Sequence, residues 1–166
     1  MKLKESTRKN VLIGMVAFIV LGLIVAKIMA KSQDEMFATQ DMLFQQATYL
    51  NSEGEFLEAS VYINELLKTQ SESEEANYLG GIISANIGEM NQASILFQKT
   101  LDINPHRVED PIFMLQFGET LFNVERYRDA KIVLERCQVS AWTPEEVPNY
   151  QEKVAELLKS IEEIIE

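Results

Sequence analysis

One histidine, one cysteine and 26 Asp and Glu residues are what this 166-residue chain has for acid-base, nucleophilic or metal chemistry. His106 stands beside Pro105 in a connector, so neither a His pair for zinc nor an acid-base relay through imidazole can be assembled, and it reads as a solvent-exposed loop residue. Cys137 falls on the apolar stripe of a helical pattern, where a free thiol acts as a small hydrophobe, and no cationic His is placed in sequence to make it a thiolate. Being alone, it forms no internal disulfide and leaves the compartment open. The carboxylates are spread over helix surfaces; pairs such as Glu74-Glu75 and Glu162-Glu163 read as solvated. Gly80-Gly81 sits inside a helical pattern, not in a phosphate-cradling loop. No catalytic, metal or cofactor-binding residue is assigned. The one enzymatic alternative is a substrate-bound metal held by scattered carboxylates.

Charge narrows the partners. Residues 1–10 carry Lys2, Lys4, Arg8 and Lys9 against Glu5, about +3, whereas residues 32–166 carry nine Lys/Arg against 25 Asp/Glu, about −16. An acidic body lacks the basic footprint of a nucleic-acid groove and does not lie flat on anionic lipid.

The elements that must position any site are helices. Residues 74–107 read as one helix-turn-helix unit. Its first helix, about Glu75 to Ile87, carries Tyr78, Leu79, Ile82, Ile83 and Ile87 at a helical period. Gly88 stops it, and Glu89 or Asn91 can open the next helix. That second helix buries Ala93, Leu96, Phe97, Thr100 and Leu101 and ends at Asn104-Pro105, because Pro disfavours helix in the residue before it. So short a connection forces antiparallel packing, and Gly80, Gly81 and Ala93 fit a close crossing.

This pattern resembles the tetratricopeptide repeat (TPR). The family has a small residue twelve positions before an Ala, a turn Gly between them, an aromatic four later and Pro near the end; Gly81, Gly88, Ala93, Phe97 and Pro105 hold those places. Thirty-four residues earlier stand Ala47, Gly54, Ala59 and Ile63, with Ser71 where Pro would be. Thirty-seven later stand Gly118, Glu125, Ala130 and Leu134. The family's early Trp is absent, with Leu43, Asn77 and Met114 in its place, and Glu125 replaces the third turn Gly. The resemblance implies an all-α chain: a short α-solenoid of three helical hairpins over 40–144 (40–73, 74–107 and 111–144), then a capping helix over 145–166.

Ahead of the repeats, residues 11–30 have a single charge, Lys27 near the end, and at 1.5 Å per residue would span about 30 Å, the hydrocarbon thickness. A transmembrane helix is expected. A cleaved signal peptide shares the basic start, but the run is long and no A-x-A site follows. Basic residues concentrate before the span, with Lys27 and Lys31 after it, which favours a cytoplasmic N-terminus and an exported domain. A cytoplasm-facing domain is the alternative. A juxtamembrane helical segment, 31–39, leads on with no Pro or Gly, so no flexible linker is expected.

In the first repeat Met36, Phe37, Leu43, Phe44, Ala47 and Leu50 supply apolar positions, and residues 51–55 supply the turn. Its second helix runs from about Phe56 to Lys68, and Ser71 with Glu74 has capping-box spacing for the next. Asp110-Pro111 reads as a cap and first helical residue, and Thr143-Pro144-Glu145-Glu146 opens a last helix near Pro144. Val147, Tyr150, Val154, Leu157, Ile161 and Ile164 then recur at steps of three and four. They form either the covering of the last repeat or a coiled-coil seam; the covering, and with it a monomer, is favoured.

In the resembled family the first helices line a concave groove. That implies Phe44, Thr48 and Asn51 from the first pair, Tyr78, Ile82, Ala85 and Asn86 from the second, and Leu115, Glu119, Phe122 and Asn123 from the third. Some of Ile82, Leu115 and Phe122 are also readable as core, with the groove favoured. The basic residues with which some members clamp a C-terminal carboxylate are missing from these places. The expected function is a single-pass, membrane-anchored adaptor that binds a segment of another membrane or exported protein, with an acidic rim favouring a basic partner. The alternative is a structural subunit of a membrane complex, joined through the transmembrane and C-terminal helices.

Overall fold

A computed structural model describes residues 5–165 of the chain, with side chains from Lys9 onward. Lys2, Lys4 and the side chain of Arg8, part of the basic N-terminal segment, lie outside the described residues. Seven α-helices follow in order: α1 (Glu5–Ser52), α2 (Phe56–Leu67), α3 (Glu74–Asn86), α4 (Met90–Ile103), α5 (Pro111–Asn123), α6 (Tyr127–Val139) and α7 (Tyr150–Ile165). A 3₁₀ turn, Pro105–Glu109, joins α4 to α5. The fold is all-α, as expected. Two compact units divide it, Met1–Met42 and Leu43–Glu166.

In the first unit the apolar side chains of residues 11–30 are all exposed. One helix, Lys9–Ser52, is long and apolar enough to cross a membrane. Met36 and Phe37 do not enter a core, being 46% and 58% exposed.

The second unit stacks helix pairs around two apolar clusters. Ala47 and Leu50 of α1, Ala59, Ile63 and Leu66 of α2, and Ala76, Leu79 and Ile83 of α3 make one. The other runs from Ala93 and Phe97 through α5 and α6 to α7. Rings hold the second pair to the third: Phe97 meets Phe113 edge-on at 5.9 Å, and Tyr78 lies 5.7 Å from Phe113 and 6.1 Å from Phe97.

The second and third pairs cross where a side chain is missing. A Cβ on Gly81 would stand 2.7 Å from Cδ1 and Cε1 of Phe97, and one on Gly118 would stand 2.7 Å from Cδ2 of Leu134. The two contacts occupy the same register, since Gly81 to Gly118 and Phe97 to Leu134 are both 37 residues apart. Turns repeat as well. Gly54 (φ +80°), Gly88 (φ +85°) and Glu125 (φ +62°) all take the left-handed conformation, so the third turn keeps its shape without the Gly that fits it best.

Caps follow the sequence in part. Asp110 accepts from the backbone N–H groups of Ile112 (3.0 Å) and Phe113 (3.1 Å), with Pro111 at the first helical position. The cap of α3 is Ser73, not Ser71: Ser73 Oγ accepts from Ala76 N–H, while the Ser71 carbonyl is taken by Asn77 Nδ2 at 2.9 Å. Glu89 caps α4 without a side-chain hydrogen bond. The last helix begins at Tyr150, six residues later than expected at Pro144. Pro148 is the reason: it disfavours helix at Val147 and has no N–H to give, so residues 143–149 form turns.

The helix α7 packs against α6 and α5. Tyr150, Val154, Leu158 and Ile161 are buried, whereas Leu157 is half-buried and Ile164 is exposed. Tyr150 donates from its hydroxyl to the Pro111 carbonyl at 2.9 Å, and Gln151 Nε2 donates to the Trp142 carbonyl at 2.9 Å. Tyr150, Val154, Leu158 and Ile161 are thus covered within the chain, while Ile164 is not.

Thermal melts of the detergent-solubilised chain, followed by circular dichroism, check three substitutions. Gly81→Ala pushes a methyl into the Phe97 ring and should cost about 1–3 kcal/mol. Glu125→Gly relieves a left-handed non-Gly residue and should add about 0.5–1 kcal/mol. Tyr150→Ala empties a fully buried site and should cost about 3–5 kcal/mol, with Tyr150→Phe losing only about 1 kcal/mol.

Candidate functional site

A cleft of about 210 Å³ opens between α3 and α5, with α4 behind it. Ile82, Ala85 and Asn86 line it from α3, Met90 and Phe97 from α4, and Gln116, Glu119, Thr120 and Asn123 from α5. Helical spacing explains the set. Residues 82, 85 and 86 fall on one face of α3, and 116, 119, 120 and 123 on one face of α5. The fully buried Phe97 ring forms part of the wall.

Five of the eleven expected groove residues meet here: Ile82, Ala85, Asn86, Glu119 and Asn123. The other six sit elsewhere. Leu115 is 4% exposed and belongs to the core, the clearest departure from the expected groove. It shares its cluster with Tyr150, Val154, Leu158 and Ile161, because α7 covers the third pair where a further repeat would otherwise stack. Tyr78 is half-buried and engaged on every side. Its hydroxyl donates to Gln116 Oε1 at 3.0 Å, and Arg107 lies over its ring at 4.6 Å. Burial, reinforced by Asp110, pushes the Tyr78 phenol up against the opposing pull of Arg107. Phe122 packs against the Tyr127 ring at 5.6 Å and against the second cluster. Phe44 packs against the first cluster. Thr48 is exposed and donates to the Phe44 carbonyl at 2.8 Å. Asn51 is half-buried, its Oδ1 without a hydrogen-bond partner among the described residues.

Met90, Phe97, Gln116 and Thr120 line the cleft without having been anticipated. The α5 set was visible as a polar stripe at steps of three and four in an otherwise apolar helix. Met90 and Phe97 gave no such sign, because α4 reaches the cleft only through the packing of the pair.

Glu119 is the one ionisable side chain in the lining among the described residues. Burial raises its carboxyl above the usual carboxylate range, and Lys153 of α7 offsets this only in part. Asn86 Nδ2 donates to the Ile82 carbonyl at 2.9 Å, and Thr120 Oγ1 to the Gln116 carbonyl at 2.7 Å, so these two donors are already committed. The cleft thus offers apolar walls and a partly desolvated carboxylate. Its volume is below the roughly 300–1,000 Å³ usual for small-molecule pockets and suits one or two side chains.

Other titratable groups stand apart from it. Cys137 is fully buried on α6, and burial pushes its thiol up, away from a reactive thiolate. His106 is exposed on the 3₁₀ turn. Among the described residues no three His, Cys, Asp or Glu side chains cluster as metal ligands.

No protein-family model and no curated protein matches the sequence. Solved structures do match in shape. The Yersinia enterocolitica type III secretion chaperone SycD, in complex with a peptide of the translocator YopD, is 16% identical with a TM-score of 0.59, covering 76% of this chain and 94% of that one. The TPR2B domain of yeast Sti1, in a complex with pHsp70, is 12% identical with a TM-score of 0.58, covering 76% and 98%. MamA from Desulfovibrio magneticus RS-1 is 21% identical with a TM-score of 0.58, covering 75% and 68%. The chain therefore has the TPR-type fold of these helical-repeat proteins.

The raised Glu119 carboxyl sets a sign for stability. Between its ordinary and its raised pKa the folded state binds more protons than the unfolded one, so stability falls as pH rises through that window. Glu119→Gln should therefore melt higher at pH 7, by up to about 1 kcal/mol, and the gain should vanish toward pH 4. Melts of both forms across pH 4–8 check it.

Proposed function

We propose that this protein is a single-pass, membrane-anchored scaffold whose helical-repeat domain holds a segment of another protein in the cleft between α3 and α5. The observation that carries this reading is the cleft itself: Ile82, Ala85, Met90 and Phe97 give apolar contact, and the polar stripe of α5 gives direction. Neighbours of the same fold support it, since SycD is seen with a YopD peptide and the Sti1 domain with pHsp70. On this reading the repeats run 40–73, 74–107 and 111–144, and α7 closes the end after them.

Residues 11–30 supply the anchor, their apolar side chains being exposed and uninterrupted but for Lys27. The excess of basic residues before them favours a cytoplasmic N-terminus and an exported domain. Anchoring raises the effective concentration of the domain for partners in the same membrane. The alternative, a subunit joined to a complex through its apolar segment and last helix, has less to use, because Val154, Leu158 and Ile161 are already buried within the chain.

Three experiments test this. A photo-crosslinking residue in place of Asn86 or Asn123, in intact cells, should trap a protein neighbour, whereas the exposed, outward positions Val61 and Ile132 should not; trapping from the outward positions alone overturns the cleft. Carbonate washing should leave the chain in the membrane, and protease added outside right-side-out vesicles should remove the domain. Release by carbonate overturns the anchor.

A further inference from the structure

We infer that Glu119 takes a cationic side chain, Lys or Arg, from the bound segment, so that the cleft selects a basic residue flanked by apolar ones. This rests on the cleft being the binding site and names what enters it. The geometry is specific: a single carboxylate stands in a lining otherwise made of Ile82, Ala85, Met90 and Phe97 with neutral amides and a hydroxyl. A carboxylate so placed is neither fully hydrated nor paired within the lining. The charged groups around it are few. From α3 and α4 no lining residue is ionisable, from α5 there is Glu119 alone, and from α7 there is Lys153, which acts on it by charge. A guanidinium or ammonium entering the cleft would supply an opposite charge inside the lining itself and a charge-assisted hydrogen bond in a partly water-excluded site. The apolar walls would seat the methylene stem of such a side chain and its apolar neighbours. The acidic balance of the whole domain works in the same direction by drawing cationic segments toward it.

Binding is then linked to protons. Glu119 in the free protein holds its proton to higher pH than an ordinary carboxyl, and a bound cation favours the ionised form, so uptake of the segment releases a proton in that window. Affinity should rise with pH as the free carboxyl ionises. It should then level off.

Phage-displayed random dodecapeptides, panned against the full-length protein in detergent micelles, provide the probe. Peptides selected by the natural protein should be enriched in Lys or Arg between apolar residues. The best of them, synthesised, should bind Glu119→Gln about tenfold more weakly. They should also lose affinity between pH 7.5 and pH 5 with the natural protein but not with Glu119→Gln. Selection against Glu119→Lys should turn the enrichment toward Asp and Glu. A photo-crosslinking residue at Asn123 should trap the selected peptide. Selected peptides without basic enrichment that still crosslink at Asn123 overturn the role of Glu119 while leaving the cleft intact. Basic peptides whose affinity and pH dependence are unchanged in Glu119→Gln overturn it as well. No selected peptide, or none that crosslinks at Asn123, overturns the cleft reading and this inference with it. Circular dichroism of each variant establishes that it is folded.

Discussion

Every pair in the repeat domain depends on a bulky side chain of its second helix filling the space that a small residue of its first helix leaves open. Gly81 faces Phe97, and Gly118 faces Leu134. The matching position of the first pair has Ala47, which carries a Cβ, and its counterpart is Ile63, smaller than the Phe97 ring; both are buried. Phe97 and Leu134 each occupy the room that the glycine opposite leaves, so in those two pairs the second helix packs deep against the first. Ala59, Ala93 and Ala130, all without exposed surface, complete the crossing from the other side. Close packing of this kind tolerates little change, because interiors already stand near crystalline density.

From that depth follows the cleft. Phe97 is drawn in by Gly81 far enough to meet Phe113 and Phe117, which ties α4 to α5 and sets the spacing between α3 and α5. The connector between α4 and α5 reinforces it. Its Arg107 is bonded to Glu74 of α3 and to Asp110, the cap of α5, and lies over Tyr78. With these partners the Arg107 side chain is only 22% exposed, which makes the contact more than a surface ion pair. The three residues by which the third copy is offset from the second belong to this connector, so the change in period marks a place where one bridge spans two pairs.

Much of this was legible in the residues. The 34-residue step, the small-residue positions and the turn at Gly88 are local features, and local features fix helix pairs. Less visible was anything decided between elements. Leu115 holds the same repeat position as Tyr78, yet it is core because α7 covers the third pair, and nothing within α5 announces that. Ser71 had the spacing of a cap, but its carbonyl is taken by the buried Asn77 and Ser73 caps instead. Thr143-Pro144 had the residues of a helix start, and a second proline four positions on delayed it. At Glu125 the opposite occurs: the residue is unsuited to its turn, and the surrounding pair imposes the left-handed conformation regardless.

The cleft also bears on why the domain is so acidic. Exposed carboxylates act at a distance, within roughly a Debye length of 8 Å at physiological salt, and fade beyond it. Such charges gather cationic segments and speed encounter but discriminate poorly among them. A half-buried carboxylate behaves differently, since less water screens it and a partner's side chain must enter the cleft to meet it. Glu119 and the solvated acids therefore divide the work under the proposed function, the surface drawing basic segments in and the cleft selecting by what flanks the charge. Under the proposed anchoring, where partners would be confined to the same plane, selectivity of that second kind has more to contribute than a further gain in encounter rate.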